Sequence, residues 1–388
     1  MKLLLVFFVL LFGNGIAADK KTVCLNMIVK NEARVIEKCL ASVKPLIDSW
    51  VIVDTGSSDD TQSIIRKYMA DLPGELHEKP WVNFAHNRNE ALQLAKEKAD
   101  YVLLIDADEM LQFDPDFALP ELEKDLYFIP VCQIGAAKLK RNGLLKNSLD
   151  WKWEGVLHEV VTCPHPVTSD TLQGIVNLCN TNENGTSGRS QGTQEEKYLR
   201  DAKILEEALK KEPQNSRYAY YLGISYSAAK KYELAKKSFE KRLSMPSADL
   251  EETYQALYNL GIMKESLGDL EGAAQTFLEA HVFRSNRAEP LFQCAKVYRQ
   301  MNQIPLAYVV SKMALTLPYP EQELCIDYTI YDHALLIEYA NCALLLGKFD
   351  EGLDACAKLL ANPHLPEEYK IPVQSNYDLA FSKLHLPQ

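Results

Sequence analysis

The sequence predicts two domains of different fold class: an α/β domain with a Rossmann-like parallel sheet, and an all-α solenoid of helical repeats after it. From Val23 to about Pro166, short apolar runs alternate with segments of helical periodicity. Beyond about Lys197, the chain consists of long helices rich in Ala, Leu, Tyr and Glu. Residues 181–195 between them are rich in Asn, Gly, Ser and Thr, as loops and linkers are. The predicted domains are therefore residues 22–180 and 196–388.

Three strands in the first half end in polar residues. The predicted strands are Cys24–Val29, Val51–Val53 and Tyr101–Ile105, and the predicted helices are Ala33–Val43, Thr61–Met69 and Asn87–Lys98. The strands lead into Asn31-Glu32, into the run from Asp54 to Asp59, and into Asp106-Ala107-Asp108. Because ligands bind at the carboxyl ends of parallel strands, we expect these polar groups to converge on one edge of the sheet.

The second half contains a recurring helical motif. Leu222-Gly223 with Phe239 is followed by Leu260-Gly261 with Phe277 and then by Cys294-Ala295, at intervals of 38 and 34 residues. Small and large residues alternate where two antiparallel helices pack closely, and this spacing is typical of tetratricopeptide repeats. A degenerate fourth copy includes Tyr339-Ala340, Gly347 and Leu353.

Composition and charge limit the class of protein. The chain is 47% hydrophobic and 24% charged, as ordinary globular proteins are. A net charge of −11 and a pI near 5.3 argue against a nucleic-acid binder, which needs clustered basic residues. Nine cysteines without Cys-x-x-Cys spacing indicate neither a zinc site nor a disulfide framework. We expect most of them, including Cys294, Cys342 and Cys356, to be core residues.

Residues 1–18 have the form of a secretory signal peptide. A charged start is followed by an apolar run from Leu3 to Phe12 and by the small residues Ala17-Ala18. The expected location is the secretory pathway or the exterior of the cell. The alternatives are a retained membrane anchor, and a mis-assigned start that precedes a cytoplasmic enzyme.

The pair Asp106 and Asp108 suggests a metal site. Two carboxylates delivered one residue apart to the end of a buried strand form a set of hard oxygen ligands for Mg²⁺ or Mn²⁺. Such an ion carries the diphosphate of a nucleotide. The alternative is a chance match, since Asp-x-Asp also occurs in surface loops.

Taken together, these motifs resemble family 2 glycosyltransferases of the GT-A fold, and in particular lipooligosaccharide β-1,4-glucosyltransferases. The resemblance covers about residues 22–165. It is carried by the ordered segments Asn26–Glu32, Cys39–Val43, Val53–Thr61, Asn87–Asn89, Ile105–Glu109 and Trp153–Glu159. It implies a nucleotide-sugar donor and a Mn²⁺ or Mg²⁺ cofactor.

The resemblance assigns donor-site roles to individual residues. Asp54 is similar to the acid that accepts a hydrogen bond from the uracil of UDP, and Arg88 to the residue that steadies the ribose or diphosphate. Asp108 would bind the metal, and Asp106 would share the metal or hold the nucleotide. Asn31, Glu32 and Ser57 follow the same strand ends and are assigned to the donor site with them.

The segment Trp153–Glu159 occupies the place of the family's His-Glu motif. His158 is a candidate third metal ligand, with a core or rim histidine as the alternative. Glu159 is the candidate catalytic base, and Glu154 is its rival. Trp151 and Trp153 are either a platform for a sugar ring or packing residues. In the linker, Arg189 is predicted to reach the diphosphate.

The predicted function is inverting, metal-dependent transfer of a sugar, with UDP-sugar as the expected donor, to a hydroxyl group of a glycan, a lipid-linked or a protein acceptor. The helical repeats would present the acceptor, because such repeats form concave binding surfaces. One alternative is a repeat scaffold whose α/β domain is inactive. Another is a nucleotidyltransferase, which would need a Gly-rich loop after the first strand, where this chain has Val29-Lys30-Asn31-Glu32.

Overall fold

The computed structural model describes residues 20–132, 138–179, 193–246, 249–320 and 326–385. The predicted signal peptide and Arg189 lie outside these ranges, as does most of the predicted linker. No helix in the described part of the chain is both long and apolar enough to cross a membrane.

The described residues of the first domain form eleven strands and three α-helices. In chain order they are β1 (Val23–Val29), α1 (Ile36–Val43), β2 (Ser49–Asp54), α2 (Thr61–Tyr68), β3 (Gly74–Glu78), α3 (Phe84–Ala95), β4 (Tyr101–Leu104), β5 (Glu109–Phe113), β6 (Leu126–Cys132), β7 (Lys138–Lys146), β8 (Lys152–Glu154), β9 (Val160–Thr162), β10 (Ser169–Thr171) and β11 (Ile175–Cys179). The predicted strands and helices of the region up to Ile105 are all present, with boundaries shifted by a few residues. Strand β3, which the sequence pattern does not predict, pairs with β2.

The main sheet is mixed, with the order β3-β2-β1-β4-β7-β6-β11-β5 and with β10 beside β6. The expectation of a parallel sheet is correct for β1 to β4, but the rest of the sheet is mixed: β7 runs antiparallel to both β4 and β6, whereas β10 and β11 run parallel to β6. A parallel connection needs a long crossover, usually a helix, and the described chain between β5 and β7 forms none. Strands β8 and β9 form a separate hairpin.

Helix α1 shows how the sheet is covered. Its residues Ile36, Cys39, Leu40 and Val43 recur at helical spacing, and all are buried in the main core. On the other side of the sheet, α3 contributes Leu92 and Ala95 to a second apolar cluster with β1, β2 and β4. The central strands are therefore buried on both faces, which explains their continuous apolar sequences.

The second domain is built from antiparallel helices. They are α4 (Gln194–Lys211), α5 (Ser216–Ala228), α6 (Tyr232–Leu243), α7 (Leu250–Ser266), α8 (Leu270–Phe283), α9 (Glu289–Gln300), α10 (Ile304–Ala314), α11 (Leu335–Leu345), α12 (Phe349–Ala361) and α13 (Glu367–His385). The hairpins α5/α6, α7/α8, α9/α10 and α11/α12 correspond to the four predicted repeats. Cys294, Cys342 and Cys356 are fully buried in their cores, as predicted.

Close helix packing explains the glycines of the motif. A Cβ atom added to Gly223 would lie 2.6 Å from the ring of Phe239, and one added to Gly261 would lie 2.6 Å from the ring of Phe277. Each hairpin also turns through one residue of positive φ: Lys230 (57°), Gly268 (83°), Asn302 (57°) and Gly347 (73°). The turn recurs in all four hairpins and the glycine–phenylalanine contact in the first two, which identifies one repeated structural unit.

Candidate functional site

Three adjacent strands bring the predicted site residues to one edge of the sheet. Strand β1 lies between β2 and β4 and is parallel to both, so the loops that follow the three strands are neighbours. Asp54 is the last residue of β2, Asn31 follows β1, and Asp106 follows β4. Strands in a sheet lie about 4.8 Å apart, which places the ends of β2 and β4 roughly 10 Å from each other. This is the scale of a nucleoside diphosphate.

Asp54 presents a buried carboxylate at this edge. The residue is 1% exposed. Its Oδ1 atom accepts hydrogen bonds from the backbone N–H groups of Gly56 (2.8 Å) and Ser57 (2.7 Å). Gly56 has φ of 104°, which lets the backbone fold back onto the carboxylate. The Oδ2 atom is buried and has no hydrogen-bond partner among the described residues. A buried oxygen of this kind is suited to accept a hydrogen bond from a ligand.

The loops after β1 and β2 are bound to each other. Asn31 adopts φ of 57°, donates its backbone N–H to Ser57 Oγ (2.9 Å) and accepts from the backbone N–H of Ser58 (2.7 Å). The backbone N–H of Glu32 donates to Thr61 Oγ1 (2.8 Å). The structure thus brings the predicted residues Asn31, Glu32, Asp54 and Ser57 together.

Arg88 connects the end of β4 to the His-Glu segment. From α3, its Nη2 atom donates to Asp106 Oδ1 (2.6 Å) and its Nε atom donates to Glu159 Oε1 (2.7 Å). The guanidinium lies 5.0 Å from the ring centroid of Trp153. Burial alone would lower the pKa of Arg88, but the two carboxylates outweigh it and raise the pKa. Arg88 therefore remains a cation.

The acidic residues after β4 have opposite pKa shifts. Burial raises the pKa of Asp106, but the charges of Arg88 and Arg141 outweigh burial and lower it. The pKa of Asp108 is raised by burial and by the charge of Asp106. The pKa of Glu109 is raised for the same two reasons. A cation bound beside Asp108 would stabilise its ionised form against both burial and the charge of Asp106.

Several residues that support this cluster were not predicted as site residues. Arg141 on β7 forms ion pairs with Asp106 and Glu109, and Asn177 on β11 donates to Glu109 Oε2 (2.9 Å). Glu109 lies at the end of the segment Ile105–Glu109, for which the resemblance assigns roles only to Asp106 and Asp108. Nothing in the sequence marks Arg141 or Asn177, because both come from strands whose antiparallel pairing the sequence pattern does not specify.

Two other quoted motif residues have structural roles. Asn89, next to Arg88, forms a pair of hydrogen bonds with the backbone of Trp153: it donates to the carbonyl oxygen (2.9 Å) and accepts from the N–H (2.8 Å). On α1, the Sγ atom of Cys39 lies 3.4 Å from the carbonyl oxygen of Asp106. The contacts of Asn89 fix β8 to α3. The contact of Cys39 fixes α1 to the chain that follows β4.

The two candidate bases occupy different environments. Glu159 is 11% exposed at its side chain and is paired with Arg88. Glu154 is 52% exposed at its side chain and is paired with Lys152 on the β8–β9 hairpin. The structure therefore brings Glu159, rather than Glu154, to the cluster around Asp106. Trp153 packs against Arg88, and Trp151 donates its Nε1 hydrogen to the carbonyl oxygen of Lys146 (2.9 Å).

His158 contacts the helical repeats. Its ring stacks on Tyr221 of α5, with the ring centroids 4.1 Å apart, and its carbonyl oxygen accepts two hydrogen bonds from Arg217. Among the described residues, no three His, Cys, Asp or Glu side chains form a group that could hold a metal ion. Asp106 and Asp108 nevertheless have the carboxylate chemistry that a hard cation requires.

Comparisons with known proteins agree with this division of the chain. Residues 24–146 match the family model described as Glycosyl transferase family 2. A TPR repeat-containing protein of Synechococcus elongatus is 26% identical over 327 residues, which cover 77% of this chain and 76% of that protein. Glycosyltransferase SunS of Bacillus subtilis is 27% identical over 219 residues, covering 53% of this chain and 49% of SunS. An uncharacterized glycosyltransferase of Rickettsia felis is 36% identical over 85 residues, or 22% of this chain and 28% of that protein.

The chain therefore spans about half of SunS and less than a third of the Rickettsia felis protein. Among solved structures, part of a TPR repeat-containing protein from Cytophaga hutchinsonii aligns with a TM-score of 0.40 and 16% identity, covering 48% of this chain and 66% of that one. MamA aligns with a TM-score of 0.36 and 18% identity, covering 45% and 85%. The family match over residues 24–146 identifies a family 2 glycosyltransferase domain, and the helical hairpins that follow it have the spacing of tetratricopeptide repeats.

Proposed function

We propose that this protein transfers a sugar from UDP-sugar to an acceptor hydroxyl with inversion at the anomeric carbon, and that it requires Mn²⁺ or Mg²⁺. The observation that carries the proposal is the buried Oδ2 atom of Asp54, which lacks a partner among the described residues, on the same sheet edge as Asp106 and Asp108. A uracil ring presents an N–H group that can donate a hydrogen bond to such an oxygen. The diphosphate would then extend toward the end of β4.

Charge complementarity supports this orientation of the donor. Asp108 with Asp106 would hold the metal ion, which supplies positive charge to stabilise the leaving diphosphate. The guanidinium of Arg88 is buried and positively charged, and it lies beside the same carboxylates. Its planar set of N–H donors is suited to bind a phosphate oxygen. The net negative charge of the cluster is the reason that a nucleotide would need the cation to bind there.

Glu159 is the proposed base. Its Oε1 atom is held by Arg88, which fixes the carboxylate and leaves the Oε2 atom to accept the proton of the acceptor hydroxyl. The hydroxyl oxygen forms a bond to the anomeric carbon as the bond to the diphosphate breaks. The acceptor is a glycan, a lipid-linked molecule or a protein, and we propose that the helical repeats present it.

The proposal is tested by titration with nucleotides. We expect UDP to bind in the presence of Mn²⁺, and CDP to bind more weakly because cytosine has no N–H at ring position 3. Asp54→Asn should weaken UDP binding by about 10- to 100-fold, since the loss of a charged acceptor costs roughly 1.5–3 kcal/mol. Asp71→Asn is the matched control, because Asp71 pairs with Lys44 and its side chain is 68% exposed. Equal affinity of the Asp54 variant and wild type for UDP would contradict the proposed base contact, and absence of nucleotide binding would favour the inactive scaffold.

A further inference from the structure

The loop from Gly155 to Glu159, here called the 155–159 loop, carries the proposed base between β8 and β9. Its backbone contains two residues of positive φ, Gly155 at 111° and His158 at 51°. A side-chain-bearing residue rarely adopts this conformation, and it persists only where the surroundings hold it in place. The conformation of His158 therefore carries a backbone cost that its surroundings must offset.

Helix α5 of the first repeat contacts His158. Arg217 donates to the carbonyl oxygen of His158 from both Nε (3.2 Å) and Nη2 (2.9 Å). The ring of His158 stacks on Tyr221, one helical turn further along α5, at an interplanar angle of 11°. The guanidinium of Arg217 also lies over the ring of Tyr221, 4.7 Å from its centroid. Both the backbone and the side chain of His158 are thus held by one helix.

Arg217 is itself fixed by the second repeat. Its Nη1 atom lies 3.4 Å from Glu252 Oε2, and the other oxygen of Glu252 accepts from the buried Arg242 (2.9 Å). Glu252 is 7% exposed, so this pairing is shielded from water. A continuous series of polar contacts leads from the second hairpin through Arg217 to the 155–159 loop.

The apolar core of the repeats reaches the two segments that carry Arg88 and Glu159. Leu157, two residues before Glu159, is 2% exposed and belongs to the core cluster formed mainly by α4, α5, α6 and α7. Phe84, four residues before Arg88 on α3, packs against the same cluster. Since four residues in a helix make about one turn, Arg88 and Phe84 share a face of α3. The segments that carry the ion pair are therefore both anchored in the repeat domain.

We propose that Arg217 is a positioning residue of the transferase site, and that the first helical repeat is a structural part of this site. Arg217 does not contact a reacting group. It acts by fixing the backbone of His158 and so the direction in which Glu159 leaves the loop. The catalytic consequence rests on the proposed function, whereas the structural consequence for the loop does not.

The kinetic test compares Arg217→Met with Arg299→Met. Arg299 forms the same kind of ion pair, with Glu338, in a later repeat, and so controls for loss of an arginine–glutamate pair. We expect Arg217→Met to lower kcat by about 10- to 100-fold, the effect of a small misplacement of a catalytic group. The affinity for UDP should change less than about twofold, because the proposed contact with the uracil ring comes from Asp54 on β2 and not from the 155–159 loop. Arg217→Lys should recover part of kcat, since a lysine can still donate to the carbonyl oxygen of His158.

A second measurement needs no substrate. Amide hydrogen exchange of the 155–159 loop should be at least about tenfold faster in Arg217→Met than in wild type, and unchanged in Arg299→Met. Faster exchange with kcat lowered at constant UDP affinity supports the proposal. The proposal is overturned if the loop of Arg217→Met exchanges its amide hydrogens at the wild-type rate. It is also overturned if kcat, UDP affinity and helix content fall together in both Arg217→Met and Arg299→Met. Failure of the wild type to bind nucleotide would refute the proposed function alone, and the exchange rates would still decide the role of Arg217 in holding the loop.

Discussion

Replacing Arg88 by methionine should destabilise the α/β domain strongly, because it leaves a buried carboxylate without a partner. The side chain of Glu159 is 11% exposed and that of Arg88 is 13% exposed, so water replaces the lost contact poorly. Leaving one member of a buried pair unpaired costs about 3 kcal/mol. Asp106 retains Arg141 and is 35% exposed at its side chain, so it adds at most about 1 kcal/mol. The expected loss is therefore about 3–4 kcal/mol at pH 7.

The four tryptophans make this domain observable by itself. Trp50, Trp81, Trp151 and Trp153 all lie in the α/β domain, whereas the repeats have none. Urea unfolding followed by tryptophan fluorescence therefore reports on the sheet domain, and circular dichroism at 222 nm reports mainly on the repeats. The double variant Arg88→Met/Glu159→Gln should recover about 2 kcal/mol relative to the sum of the single changes, because the unpaired charge is removed.

The dependence on pH gives a second signature. Because the pKa of Asp106 is lowered in the folded protein, its ionisation stabilises the fold above the ordinary pKa of an aspartate, and this contribution is lost as the pH falls through the lowered pKa. The part of the Arg88→Met penalty that comes from Asp106 should thus be present near neutral pH and be lost as the pH falls through the lowered pKa of Asp106. A loss below about 1 kcal/mol at pH 7, or additive single changes, would refute the proposed coupling.

Three further variants test the remaining structural claims. Asn89→Ala removes both hydrogen bonds to the backbone of Trp153 and should cost about 2 kcal/mol in the fluorescence-detected transition; a cost under about 0.5 kcal/mol would contradict the role of this pair. Gly223→Ala should destabilise the repeats by about 1–3 kcal/mol by circular dichroism, since its Cβ would lie 2.6 Å from Phe239, and an unchanged midpoint would show that the helices separate without cost. Asp108→Asn should stabilise the metal-free sheet domain by about 0.5–2 kcal/mol at pH 7. The pKa of Asp108 is raised in the fold, so its charged form is disfavoured there; the gain should vanish below the ordinary aspartate pKa, and a gain that persists at low pH would count against this cause.

The sequence was most informative where local pattern and tertiary structure agree. The polar ends of the first three predicted strands identified the sheet edge, because parallel strands place their carboxyl ends side by side. The recurrence of Gly223 with Phe239 identified the helical hairpins, since close packing imposes a small residue opposite a large one. In both cases, the pattern that predicts the structure is contained in short segments of the chain.

The remaining features depend on contacts between distant segments. Arg141 reaches Asp106 only because β7 runs antiparallel to β4, and a lone arginine in a strand does not reveal that pairing. Arg217 contacts a loop that is 59 residues earlier in the chain. The motif around His158 suggests a metal ligand. The stacking of its ring on Tyr221 depends on how the two domains pack, which the sequence pattern does not specify.

The central claim is most directly tested by a donor screen with purified protein, Mn²⁺ and a panel of nucleotide sugars, in which release of the nucleotide is measured. We predict release of UDP from at least one UDP-sugar, and loss of that release in Asp108→Asn, while both domains retain their wild-type fluorescence and circular dichroism. Asp71→Asn, which changes an exposed carboxylate, should release UDP at the wild-type rate. Release that is undiminished in Asp108→Asn, or a wild-type protein that neither binds UDP nor releases any nucleotide, would contradict the proposed metal-dependent transferase.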